Sequence, residues 1–258
     1  MRIPRFATVR ITFLLIFLVA IVLVSTHQKL YTRIWTKTLE VVIYPISGDG
    51  HLATDRYIRS LSDADFTIIN KWGIREAKRH DLDLSQPFNV SLGETIVTNP
   101  PEFPDNANAV SVVFWGLRFR WWAYRNTPGK SSLTQVRLFV VYHEGDDDKP
   151  LAHSLGMQKG LMGLVHAYAI DSQTAQNNIV LAHELLHTVG AIDKYEEWGN
   201  PAFPVGYANP ARKPLFPQRS AEVMAGRIPT SYSSSYMAES LKSVVLNQYT
   251  AAEINWLE

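Results

Sequence analysis

The chain has 258 residues, 46% of them hydrophobic and 19% charged, a size and balance that supply a full core for one globular domain. Its 25 Lys and Arg against 24 Asp and Glu leave a formal charge of +1, which gives no support for nucleic acid as a partner. Cysteine is absent, so disulfides, thiolate metal sites and a cysteine nucleophile are excluded, and any metal must be held by His, Asp or Glu.

At the N-terminus, MRIPRFATVR carries Arg2, Arg5 and Arg10, and ITFLLIFLVAIVLV from Ile11 to Val24 is uncharged. That run alone falls short of the roughly 20 apolar residues that cross a bilayer. Counting from Phe6 to Ser25, with Arg10 reaching back to the interface, completes one transmembrane helix. No A-x-A cleavage pattern follows, so residues 1–26 are expected to be a cytoplasmic tip and anchor rather than a cleaved signal peptide. Both readings export the rest of the chain. Residues 27–38 are expected to form a stalk, where Lys29, Arg33 and Lys37 weaken the positive-inside bias.

Beyond the stalk, residues 39–258 read as a single α/β unit without repeats. TLEVVIYPIS is β-branched and bounded by GDG, which predicts a buried strand. Thr54 is placed to cap a helix running to Arg79, with Tyr57, Leu61, Ala64, Ile68 and Trp72 on one stripe. Further strands are expected in FNVSLGETIV, AVSVVFW, QVRLFVVYHE and GLMGLVHAYAI. In LRFRWWAYR, Leu117, Phe119 and Trp121 alternate with Arg118 and Arg120. That alternation predicts a strand with one buried face, in preference to a base-stacking or membrane-interface segment. NPPEFPDNAN and HEGDDDKP read as loops, and Asp146, Asp147 and Asp148 read as solvated acids rather than a calcium site.

The stretch QTAQNNIVLAHELLHTVG has no proline, carries Ile179, Leu181, Leu185, Leu186 and Val189, and ends at Gly190, all of which predict a helix over its length. His183 and His187 then lie one turn apart on one face. Two imidazoles so placed can both reach one Zn²⁺ at about 2.0–2.1 Å, with Glu184 on the side where a water would sit. A catalytic zinc needs a third protein ligand. Asp193 is the candidate, because Gly190 lets the chain turn sharply out of the helix and return a residue three positions on. Downstream, GNPAFPVGYANPARKPLFP holds five prolines and predicts a stiff, shaped loop.

The segment HELLHTVGAID resembles the zinc-binding consensus of the metzincin metallopeptidases, in the variant where aspartate replaces the usual third histidine, as in snapalysin-type enzymes. The resemblance implies a zincin-like mixed twisted sheet with a long backing helix and an active-site helix, 39–190, followed by a small C-terminal subdomain, 191–258. It also implies a methionine turn below the metal, for which SAEVMAGR offers Met224. The implied activity is zinc-assisted hydrolysis of a peptide or protein substrate, with Zn²⁺ on His183, His187 and Asp193 and Glu184 as general base. The position of the family's metal-reaching tyrosine is Gly226 here, which leaves that role vacant or to Tyr195, Tyr232 or Tyr236. YTAAEINWLE is expected to form a final helix capped by Thr250 and Glu253. Two other readings stand beside this one: a gluzincin-like peptidase with Glu222 as third ligand, and a membrane-tethered binding protein that does not cut. Substrate identity and oligomeric state have no signature in the sequence.

Overall fold

The computed structural model describes residues 5–104, 108–129, 134–145, 155–157, 161–196 and 198–257. In chain order the elements are α1 (Arg5–Ile34), β1 (Leu39–Ser47), α2 (Leu52–Ser60), α3 (Thr67–Arg79), β2 (Phe88–Leu92), α4 (Ala109–Asn126), β3 (Val136–His143), β4 (Leu155–Met157), β5 (Met162–Tyr168) and α5 (Thr174–Val189). A second run of short pieces closes the chain: β6 (Ala221–Glu222), β7 (Arg227–Pro229), β8 (Ser235–Met237), β9 (Val244–Val245) and α6 (Gln248–Glu253).

Five strands form one sheet in the order β2-β1-β3-β5-β4, parallel except for the edge strand β4, which runs against β5. Strands covered on both sides have continuous apolar sequences, because successive side chains face opposite layers. In β1 and β3, Val41, Ile43, Val136, Leu138 and Val140 face a core shared with α2, α3 and α5. Tyr44, Ile46, Phe139 and Val141 face the other side, where α4 lies. The sheet is thus a mixed, mostly parallel one between helical layers. Residues of the C-terminal pieces, among them Val223, Met224, Val244 and Ile254, join the first of these cores.

Several local expectations are corrected. The helix expected from Thr54 to Arg79 is broken. Leu61 and Ser62 are extended, and the Ser62 side chain and Asp65 cap each other to open a 3-10 turn, Asp63–Phe66, that leads into α3. Thr54 does not cap α2; its hydroxyl donates to Asp49 Oδ2 at 3.1 Å. The two strands expected in AVSVVFW and LRFRWWAYR are one helix, α4, capped by Asn108, whose side chain accepts from the backbone of Val110 and Ser111. Its core residues Trp115, Phe119, Trp122 and Ala123 recur at helical spacing, and this outweighs the local alternation. A crossover between parallel neighbours of β1 also requires such a connection. Strand β4, three residues centred on a glycine, had no readable pattern. Residues 146–150, including the three consecutive aspartates, lie outside the described residues.

The N-terminal expectation is also revised. Among the described residues no helix is long and apolar enough to cross a membrane, so the anchor over 1–26 has no support in the fold. The expected stalk is helical as far as Ile34, and Thr32 and Trp35 are buried. Trp35 Nε1 donates to the Ile254 carbonyl at 2.6 Å, its ring packs edge-on against Trp256, and Arg33 donates to the Glu253 carbonyl. The end of α1 is thereby fastened to α6.

Candidate metal centre

Helix α5 is the central support of the site. Its apolar face, including Leu181, Ala182, Leu185 and Leu186, is buried, and near its start Asn177 clasps both backbone groups of Tyr168 while Asn178 donates to the Asp65 carbonyl. The helix ends at Gly190 in the left-handed conformation, φ 111°, where the Gly190 and Ala191 N–H groups both return to the Leu186 carbonyl. That turn sends the chain back across the helix end, as the glycine implies.

His183 and His187 stand side by side, with Nε2 atoms 3.0 Å apart and rings nearly perpendicular. Asp193 Oδ1 lies 3.0 Å from His183 Nε2 and 3.1 Å from His187 Nε2. On the far side of each ring, Nδ1 donates to a backbone carbonyl, Val223 for His183 at 3.1 Å and Ala191 for His187 at 2.9 Å. A carbonyl can only accept, so both Nδ1 atoms carry hydrogen, and in a neutral ring Nε2 is then a bare lone pair. Two such lone pairs and a carboxylate oxygen converge on one point. Three acceptors at this separation repel one another unless a cation or protons lie among them.

The titration behaviour follows from this crowding. Burial alone would pull His187 down, but the Asp193 hydrogen bond, the Glu184 charge and the Ala191 carbonyl raise it above the ordinary imidazole value. Burial likewise works against the Asp193 charge, yet the two imidazoles hold its carboxyl well below the usual range.

Glu184, between the two histidines in sequence, is buried, and one ligand atom from each of His183, Glu184 and His187 lies within 4.8 Å of the others, a group that could hold a metal ion. The Asp193 carboxylate, at 3.0 and 3.1 Å from the two Nε2 atoms, meets both rings at hydrogen-bond distance.

Other residues fix Asp193 in place. Buried Lys194 donates through Nζ to Glu253 Oε2 at 2.6 Å, Ile192 N–H donates to the same oxygen, and Lys194 N–H donates to the Met224 carbonyl. Glu253 therefore ties α6 to the ligand loop instead of capping its own helix. That cap is Asn247, which accepts from the Tyr249 and Thr250 N–H groups. Lys194 and Glu253 carry no recognisable motif, and the sequence reading missed this pair. Tyr195 lies near Asp193, and its phenol is raised by burial and by that neighbouring negative charge. Of the three tyrosines considered, Tyr232 instead packs on Phe216 and Phe203, and Tyr236 lies half-exposed on β8.

Met224 is fully buried in a tight turn, where Ala225 and Gly226 N–H groups return to the Glu222 carbonyl and Gly226 is left-handed at φ 68°. Glu222 is fully buried too. Its Oε2 accepts from Met224 N–H and its Oε1 from the Thr250 hydroxyl, both at 2.6 Å. Burial pushes its carboxyl up to about 7, against the opposing pull of Thr250, Lys194 and the Met224 N–H. With both oxygens so engaged, Glu222 braces the turn whose Val223 carbonyl orients His183.

No protein-family model and no curated protein matches the chain. Among solved structures, OgpA from Akkermansia muciniphila is similar over 84% of this chain and 60% of its own, at 12% identity and TM-score 0.41. A chaperone-substrate complex is similar over 84% of this chain and 33% of its own, at 13% identity and TM-score 0.38. The chain thus spans less than two thirds of either neighbour, and likeness at this level bears on neither activity nor substrate.

Proposed function

We propose that the chain is a zinc-dependent endopeptidase of metzincin type, with His183, His187 and Asp193 as metal ligands and Glu184 as general base. The observation that carries this reading is the convergence of two imidazole lone pairs and one carboxylate oxygen at 3.0–3.1 Å, with both Nδ1 atoms already committed to carbonyls. These separations lie close to the roughly 3.3 Å edge of a tetrahedron with bonds of about 2.0–2.1 Å. An all-nitrogen-and-oxygen set of two His and one carboxylate suits zinc, and hydrogen bonds to the outer ring nitrogens are the usual means of fixing imidazole ligands.

When bound, such an ion supplies Lewis acidity, polarising a carbonyl and acidifying water. The protein's own groups do the rest. Glu184 takes a proton from the attacking water and hands it to the leaving amine. Its burial strengthens its interaction with charge developing beside it. Asp193 adds a negative charge to the ligand set, and the Tyr195 phenol lies near that charge. Met224 and Glu222 hold the turn that aims His183. The proline-containing loop 199–217 is proposed as a wall of the substrate cleft.

The full chain is expected to bind about one zinc and, so loaded, to cleave members of an unbiased peptide library. Zinc-loaded protein that cleaves nothing would replace the peptidase with a zinc-containing binding protein.

Export also belongs to this proposal, on the strength of Arg2, Arg5 and Arg10 ahead of the apolar run. Fractionation with N-terminal sequencing is expected to find the domain on the non-cytoplasmic side, either full-length with the membrane or beginning near residue 27. Recovery of the intact chain in the cytosol would refute export.

A further inference from the structure

Helix α4 has more apolar surface than the fold uses. Its inner face, Trp115, Phe119, Trp122 and Ala123, is locked into the core against the sheet. Its outer face carries a second stripe, Val110, Val113, Phe114, Leu117, Trp121 and Tyr124, and each of these side chains is 58–75% exposed. The spacing is helical, so the six form one continuous patch more than three turns long. An exposed apolar face of this kind marks an interaction surface rather than scattered surface residues.

The charges on the helix indicate what covers it. The 18 residues of α4 include Arg118, Arg120 and Arg125 and no Asp or Glu. Arg120 turns back onto the Gly116 carbonyl, whereas exposed Arg118 and Arg125 flank the stripe, with the Arg125 guanidinium 5.8 Å from the Trp121 ring centroid. A second copy meeting this face through a two-fold contact would bring together two helices that carry arginines and no carboxylate, with Glu102, beside Phe114 and Arg118, at one end of the face only. A membrane surface has the complementary chemistry: acyl chains for Phe114 and Leu117, an interfacial zone that favours Trp121 and Tyr124, and anionic headgroups for the arginines.

We propose that the outer face of α4 is a docking surface for a lipid bilayer bearing anionic headgroups. The helix lies in the interface rather than crossing it, since its inner face never leaves the protein core. Because α4 is already folded and capped, adsorption requires no ordering of the helix. This inference rests on α4 alone and is independent of α1 and of the metal centre.

The absence of cysteine makes a direct test possible. Leu117→Cys in the full chain, labelled with a polarity-sensitive fluorophore, is mixed with vesicles of phosphatidylcholine alone or with about one third phosphatidylglycerol. Lys242→Cys serves as an exposed reference. The expected result is a blue shift with a roughly twofold or larger rise at position 117 only, with the anionic vesicles only, and reversed near 1 M salt. Adding Arg118→Glu and Arg125→Glu is expected to abolish the response. Co-sedimentation with anionic vesicles while the Leu117→Cys probe stays silent would overturn the proposal, because another segment would then be the contact. A response that grows with protein concentration without vesicles would assign the face to a second copy, and a response to a single-stranded oligonucleotide in their place would assign it to nucleic acid. Either outcome refutes the membrane surface.

Discussion

Glu184→Gln is expected to retain zinc and to lose at least about a hundredfold in kcat/KM on any peptide the wild type cleaves. The substitution keeps the size and planar shape of a buried side chain in the middle of α5, so the helix, the two histidines and Asp193 stay where they are. What disappears is the proton acceptor. A glutamine cannot take the proton of the attacking water or deliver it to the amine, whereas substrate binding and metal binding require neither step. The loss is therefore expected in kcat with KM little changed, and melting temperature and zinc content provide the controls. Near-normal turnover in this variant would remove Glu184 from the mechanism. Joint loss of zinc and activity would instead make Glu184 a ligand.

The second expectation ranks four carboxylates and imidazoles by their effect on zinc. His183→Ala or His187→Ala removes one of the two proposed nitrogen ligands and is expected to abolish binding. Asp193→Ala is expected to weaken it by more than the 10–100-fold typical of residues that only support a ligand. Glu222→Ala is expected to act on folding, because it strands the Met224 N–H and the Thr250 hydroxyl in a fully buried place, at about 1–3 kcal/mol for each unpaired group. Competition with a chelator measures the first effect and denaturant unfolding the second. The reverse ranking, zinc lost in Glu222→Ala and kept in Asp193→Ala, would make Glu222 the third ligand.

Glu222 also has a pH signature that separates it from the ligands. Its folded pKa, about 7, lies above its unfolded value, so the folded state holds the proton more tightly. Its contribution to stability is fully present below about pH 4.5 and is lost as pH rises through 7, by up to about 3 kcal/mol. Glu222→Gln keeps a hydrogen-bonding group but no titrating one. It is expected to remove this part of the wild-type decline, as read from unfolding at a series of pH values.

Much of the site could be read in the linear order of residues. His183, Glu184 and His187 are close in sequence, their spacing matches one helical turn, and Gly190 is the residue that a left-handed helix end requires. Local stereochemistry was enough to make Asp193 a candidate neighbour of the rings. The buried strands β1, β3 and β5 were legible for a similar reason, since strands covered on both faces are continuous apolar runs. Elements whose conformation depends on distant partners were not legible. The alternation in LRFRWWAYR points to a strand, and only packing of Trp115, Phe119 and Trp122 on Tyr44 and Phe139 makes it a helix. Thr250 and Glu253 have the right spacing for a cap, yet each is drawn off by a partner remote in sequence, Glu222 in one case and Lys194 in the other. The sequence by itself thus determined which side chains gather into a group that could hold a metal ion, because they are related by a single helical turn and one glycine. Only the tertiary structure decided which carboxylate faces the two imidazoles and which one is fully buried against Met224 and Thr250. That choice depends on burial and on hydrogen bonds to β6, α6 and the turn at Met224, segments that folding alone brings together.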